Sequence, residues 1–305
     1  MSPTTTWRDW SCRVRVTLAA GSDADLEASA RIVRDLMDDV AIAVSRFRDD
    51  SDLTRVNARA GALIPVSALT VQLVEVALDA ARRTDGAVDP TVGGHLLDAG
   101  YTDDIDAVRS RPRRGVAVPG MAASWAAVAV HRDLRLVGIP VGLRLDLGAT
   151  AKAWTADEAA RRVHTRLGVP ALVEIGGDLS VAGPVPQPWR IDVAEVAGDP
   201  AYRVEVTHGG LATSSVLARA WTSDRGPEHH VIDPRTSRPA RGSVRTATVW
   251  APTAVEANTW STAAIVWGDS AEARLLEAGV DARLVDADGR STLLGAWPAD
   301  ERVTA

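Results

Sequence analysis

Between residues 22 and 44 the side chains Leu26, Ala30, Val33, Met37, Val40 and Val44 recur at three- and four-residue intervals. That is the spacing of one face of an α-helix. Just before it, "CRVRVTLA" at 12–19 alternates apolar and polar, the period of a half-buried strand. A chain that makes this switch so early must build its core from both sheet and helix. A second helical stretch covers about 67–84 and closes at "TDG", where Gly86 can take a positive φ. Residues 102–122 read as a loop. Short strands are expected near 125–131, 134–137 and 141–146, then a helix from about 149 to Gly168. Further strands fall near 171–175, 189–193, 203–207 and 246–251. A helix over about 254–267, a short one near 270–278 and one or two strands complete the chain. Two helices come early and strands dominate the middle, without the regular alternation of a doubly wound sheet. The expected class is α+β.

The 305 residues suffice for a large core, and they are read as a single domain, 1–305, with room for two lobes around the loop near 102–122. Net charge is −6, which argues against a nucleic-acid role resting on a basic surface. One basic run, "RSRPRRG" at 109–115, reads as a solvated loop. Cys12 is the only cysteine, so no intrachain disulfide forms. It alternates with polar residues in a strand, which suits a packed thiol better than a nucleophile. No apolar run suggests a signal peptide or a membrane span, and the expected location is the cytoplasm.

Five stretches interrupt this pattern with chemistry-bearing residues. In "TDGAVDPTVGG", 84–94, Pro90 holds Asp89 extended; an Asx-type turn and a site residue are both open readings. In "RLDLGATAKAW", 144–154, Asp146 ends a strand and Lys152 lies in the first helical turns, where exposed amides and a lysine suit a phosphate. The Gly and Lys spacing is not that of a Walker loop. In "VEIGGDLSVAG", 173–183, the glycine pair permits close approach of a ligand or of another strand. In "EHHVIDPRTSRPA", 228–240, His229 and His230 point to opposite faces if they begin a strand, and one could serve as a general base. In "TAVEANTWSTAAIVWG", 253–268, Asn258, Ser261 and Thr262 share one face of a helix start, as a capping turn or as one wall of a site.

Taken in order, these stretches resemble the ApbE-type FAD:protein FMN transferases over about residues 45–268. "SRFRDDSDLTRVN", ending at Asn57, resembles the family's early Ser/Asn segment. "GAVDPTVGG" resembles its aromatic-Asp-Pro-Thr segment, with Val88 where Phe is usual. "LDLGATAKAW", "LVEIGGDLSVAG", "LATSS" and "HHVIDPRTSRPA" resemble four further segments, and residues 253–268 resemble the metal-binding helix.

The resemblance implies a mixed α/β fold with antiparallel-rich sheets and flanking helices. It implies FAD as substrate, a magnesium ion, and transfer of FMN to a threonine hydroxyl of an acceptor flavoprotein with release of AMP. By position, His230 is the implied catalytic base. Asn57, Ala87, Val88, Asp89, Asp146, Lys152 and Ile232 are the implied FAD contacts. The Ala149 carbonyl, Asn258, Ser261 and Thr262 are the implied metal ligands. Two alternatives accompany this reading: an FAD-binding protein with weak or no transferase activity, and a pyrophosphatase giving FMN and AMP.

The chain departs from the family pattern where the metal is expected. Asn258 replaces the usual aspartate, and Ser261 stands where some members are acidic. Ala149, Ala153 and Ser237 replace glycines. Magnesium favours carboxylate oxygens, so neutral Asn, Ser and Thr should hold it more weakly.

Overall fold

The computed structural model describes residues 2–110, 121–195, 201–223, 225–298 and 302–303. Most of "RSRPRRG" lies outside the described residues. The chain divides into two compact units: Met1–Leu36, Lys152–Ala218 and Gly242–Ala305 form the first, and Met37–Ala151 with Arg219–Arg241 form the second.

Helix α1, Asp23–Val44, starts as expected. Asp25 N donates to Ser22 Oγ, and Ser22 N donates back to the Asp25 carboxylate, a reciprocal cap. Ala30, Val33, Met37, Val40 and Val44 are buried along its length. Helices α2 (Asp52–Ala58) and α3 (Ala68–Arg83) follow, each capped by a serine hydroxyl, Ser51 and Ser67. Next come α4 (Gly93–Asp98) and α5 (Ile105–Arg109). The second of these corrects the loop expected over 102–122: Asp104 caps Asp106 N, while Ile105 and Val108 are buried. Helices α6 (Ala151–Leu167), α7 (Ala254–Trp267) and α8 (Ala271–Glu277) complete the set among the described residues.

In the first unit, eight described strands form one antiparallel sheet. Their spatial order is Thr4–Asp9, Cys12–Leu18, Ala171–Ile175, Asp178–Ala182, Gly209–Ser215, Val244–Ala251, Asp281–Asp286, Ser291–Leu294. Leu172, Leu179, Val181, Leu211 and Trp297 pack there with Ile191, Val193, Val204 and Val206 from a smaller sheet. The glycine pair is a hairpin turn: Ile175 pairs with Asp178, and Gly176 and Gly177 both have positive φ, as a type I′ turn requires. Helix α7 lies on the strands Gly209–Ser215 and Val244–Ala251. A Cβ on Gly210 would stand 2.6 Å from the Thr253 carbonyl carbon, so only glycine lets that strand meet the start of α7. The helix is buried nearly all round, so its polar side chains must find partners inside the protein.

The second unit holds α2 to α5, a three-stranded sheet of Leu63–Pro65, Leu136–Gly138 and Ala129–His131, and two short hairpins at Ala220–His229 and Ile232–Pro239. Its core joins Leu96, Ala99, Tyr101, Ile105, Val108, Trp221 and Ile232. Two strand expectations are corrected here. Residues Trp125–Ala127 form a 3-10 turn, leaving only Ala129–His131 as strand. Residues 141–146 form no strand beyond one bridge, Arg144 to Val92. Asp146 N donates to Pro90 O and Gly93 N to Arg144 O, while Leu145 is bonded by a side chain.

Candidate functional site

The polar residues singled out in the sequence are divided between the two units. In the second unit, the Asn57 amide clamps Leu145: Nδ2 donates to Leu145 O at 3.0 Å, and Leu145 N donates to Oδ1 at 2.7 Å. This buried pair holds the segment that presents Asp146. Asp146 Oδ1 accepts from Gly148 N at 2.8 Å, and Oδ2 lies 3.0 Å from Arg46 Nε. Arg46 also donates from Nη1 to Tyr101 O at 2.7 Å. Its guanidinium lies 4.2 Å and 4.3 Å from the Phe47 and Tyr101 ring centroids. Tyr101 in turn stacks on Trp221 at 5.2 Å.

Asp89 makes the Asx-type turn. Its Oδ1 accepts from Thr91 N and Oγ1 at 2.7 and 2.6 Å, and its Oδ2 accepts from Trp125 N at 3.0 Å. Ala87 and Val88 are buried before it, with Val88 N donating to Thr84 Oγ1. Ile232 is buried in the Tyr101–Trp221 cluster.

The two histidines end a strand, Gly226–His229, rather than begin one, and they differ in environment. His229 Nε2 is 2.8 Å from Ala240 O, and Val231 N donates to its Nδ1. Both nitrogens therefore serve the backbone in the neutral ring. Burial holds its pKa below the ordinary value, against the Ala240 carbonyl, which raises it. His230 is half-buried in the bend that follows. His95, in α4, also has a pKa lowered by burial, opposed by Asp98 and Asp89.

In the first unit, Lys152 lies in the first turn of α6, where its Cδ would be 3.6 Å from a Cβ on Gly176. The start of α7 carries a closed hydrogen-bond ring. Asn258 Nδ2 donates to Asp178 Oδ1 at 2.8 Å. Thr262 Oγ1 donates to Asn258 Oδ1 at 3.3 Å. Ser214 Oγ lies 2.9 Å from both Ser261 Oγ and Thr262 Oγ1, and Ser261 donates to Asn258 O at 3.2 Å. Asp157 takes the first amides of the helix, Ala254 N and Val255 N, at 2.9 and 3.0 Å. Burial raises its pKa, while those amides and Ser180 pull it down.

This ring tests the expected magnesium site. A magnesium ion wants oxygen donors turned toward it, usually with one or two carboxylates. Here the Asn258 amide hydrogens point at the carboxylate, and the hydroxyls of Ser261 and Thr262 are engaged with Ser214. Among the described residues no group of three or more His, Cys, Asp or Glu could hold a metal. The Asn258–Ser261–Thr262 set does not fit a divalent cation. Ala149, expected to add a carbonyl, lies in the second unit, in the turn before α6.

Sequence reading missed Arg46, Tyr101, Asp157 and Ser214. Arg46 and Ser214 stood inside quoted segments, but the partners of Arg46 are 55 and 100 residues away and those of Ser214 are 47 and 48 away.

The fold places the chain in the class of mixed α+β proteins built on antiparallel sheets. The chain matches the sequence model of the ApbE family over residues 10–295 and belongs to that family. It is 29% identical to the FAD:protein FMN transferase of Treponema pallidum (strain Nichols), covering 92% of this chain and 82% of that one. It is 31% identical to the protein of the same name from Salmonella typhimurium, covering 74% and 67%. A crystal structure of the ApbE protein from Thermotoga maritima superposes with a TM-score of 0.85 at 26% identity, covering 96% and 97%. Among the described residues no helix is long and apolar enough to cross a membrane.

Proposed function

We propose that this protein is an FAD:protein FMN transferase. The observation that carries the reading is the family match over residues 10–295, together with the name shared by its curated relatives. In the reaction, a threonine hydroxyl of an acceptor flavoprotein attacks the FMN phosphorus of FAD. A new P–O bond forms, the pyrophosphate P–O bond breaks, and AMP leaves with the bridging oxygen. His230 takes the hydroxyl proton; His229 is committed to Ala240 and Val231, which supports that choice. Lys152, at a helix start, suits the phosphate charge. Asn57 acts through Leu145 to hold Asp146, with Ala87, Val88, Asp89 and Ile232 shaping the same unit toward FAD. The resemblance brings magnesium with it, but the α7 residues do not fit the ion and no step is assigned to it. Work in the cytoplasm belongs to the same proposal, supported by a chain whose single cysteine gives no intrachain disulfide.

The test is incubation with FAD and a co-expressed flavoprotein acceptor, in magnesium and in EDTA. A protein band that stays fluorescent after denaturation is expected. Intact FAD binding without labelling of any acceptor would overturn the proposal.

A further inference from the structure

We infer that the pair Asp178–Asn258 replaces a resident divalent cation at the start of α7, so that this chain carries no cation site of its own there. The inference deepens the transferase reading and rests on it only for the place of the site. The donor set carries the argument. Asp178 and Asn258 are 3% and 7% exposed, so each polar atom must be satisfied inside the protein. The 2.8 Å bond from Asn258 Nδ2 gives one Asp178 oxygen a hydrogen rather than a metal. The other end of the same amide, Oδ1, accepts from Thr262. Thr262 and Ser261 both meet Ser214 at 2.9 Å. An amide that offers hydrogens toward a carboxylate occupies the place where two carboxylates would demand a positive ion between them. Replacing that single NH2 by an oxygen would put two negative groups at hydrogen-bond distance in a buried site. A cation would then relieve the repulsion. The exchange of one atom therefore decides whether the site needs a metal.

Asp178 fits this reading by its origin as well. The two-residue glycine turn at 176–177 fixes it as the first residue of its strand, directly after the turn. Its position is set by the hairpin, not by an ion.

The measurement is titration of Mn2+ into the purified protein, followed by electron paramagnetic resonance of the unbound ion, with and without FAD. Thermal unfolding in Mn2+ and in EDTA runs alongside. The unmodified chain should show no stoichiometric Mn2+ site and the same melting temperature in both conditions. Asn258→Asp should gain one site and bind Mn2+ at least about tenfold more tightly, since affinity follows ligand charge. It should melt lower in EDTA and recover in Mn2+. Stoichiometric Mn2+ binding by the unmodified chain, abolished by Asp178→Asn, would overturn the inference, because Asp178 would then be a ligand. Asn258→Asp folding without gaining a site would overturn it too. Should that variant not fold, the titration of the unmodified chain decides alone. A chain that labels an acceptor yet binds Mn2+ through Asp178 loses this inference and keeps the transferase. A chain that binds no Mn2+ and labels nothing loses the transferase and keeps the inference.

Discussion

Arg46 Nε donates to Asp146 Oδ2 at 3.0 Å, and the two side chains are only 14% and 10% exposed. Removing one member of a largely buried pair strands the other's charge. Arg46→Met should therefore lower stability by about 3 kcal/mol. Arg46→Lys should recover only part of that, because an ammonium cannot lie flat between Phe47 and Tyr101 while reaching both Asp146 and Tyr101 O. Urea unfolding midpoints check this. Equal midpoints for all three proteins would contradict it.

The Asn57 clamp predicts a different signature. Asn57→Ala leaves a buried N–H and a buried C=O of Leu145 unpaired, each costing about 1–3 kcal/mol. Asn57→Asp keeps the acceptor for Leu145 N but turns a carboxylate oxygen toward Leu145 O. Both variants should melt lower than the unmodified chain and bind FAD more weakly, because Asp146 follows Leu145 directly. Full FAD affinity in a folded Asn57→Ala protein would separate the clamp from the site.

The histidine pair predicts a split between stability and activity. His229 is held below its ordinary pKa of 6.5 by burial, so it stays neutral in the fold while the unfolded chain protonates. Its stability contribution is complete above pH 6.5 and is lost as pH falls below that value. His95 acts in the same direction. Melting temperature should drop between about pH 7 and pH 5, and His229→Gln should flatten that drop. His230→Ala should leave the acid-induced drop in melting temperature, which His229 and His95 set, as it is in the unmodified chain. It should cost about 10²- to 10⁴-fold in FMN transfer. A His229 variant that loses transfer while His230→Ala keeps it would reverse the assignment.

Ser237 sits at φ +58°, in the left-handed region that favours glycine. A side chain there costs about 1–2 kcal/mol. Glycine returns roughly 0.5–1 kcal/mol of that as unfolded-chain entropy. Ser237→Gly should thus stabilise the protein by up to about 1 kcal/mol, read as a higher urea midpoint. A lower midpoint would mean that the hydroxyl makes a bond worth more than the backbone strain.

The elements that were legible in the sequence are those that local rules determine. Ser22 and Asp25 announce α1, the buried stripe from Ala30 to Val44 confirms its face, and Gly86 closes α3 with φ +76°. The expectations that failed depended on distant partners. Leu143 and Leu145 alternate as a strand would, yet Leu145 bonds to an asparagine side chain 88 residues away. Ile105 and Val108 are too few to signal a helix, and burial against Tyr101 and Trp221 makes one. The site followed the same division. Asp89, Asp146 and Lys152 stand in recognisable turns and helix starts. His229 and His230 look alike as letters, and His229 declares its role only through its bonds to Ala240 O and Val231 N. Asn258 was visible as a departure, but its consequence needed Asp178, which lies 80 residues earlier.

Transfer of FMN from FAD onto a protein hydroxyl is the reaction proposed for this chain. The most direct measurement is the intact mass of a flavoprotein acceptor after incubation with the enzyme and FAD, with AMP and free FMN quantified in the same mixture. One AMP is expected for each acceptor that gains FMN, with the modification on a threonine and little free FMN. AMP and free FMN in equal amounts, with the acceptor mass unchanged, would contradict it and make the chain a pyrophosphatase.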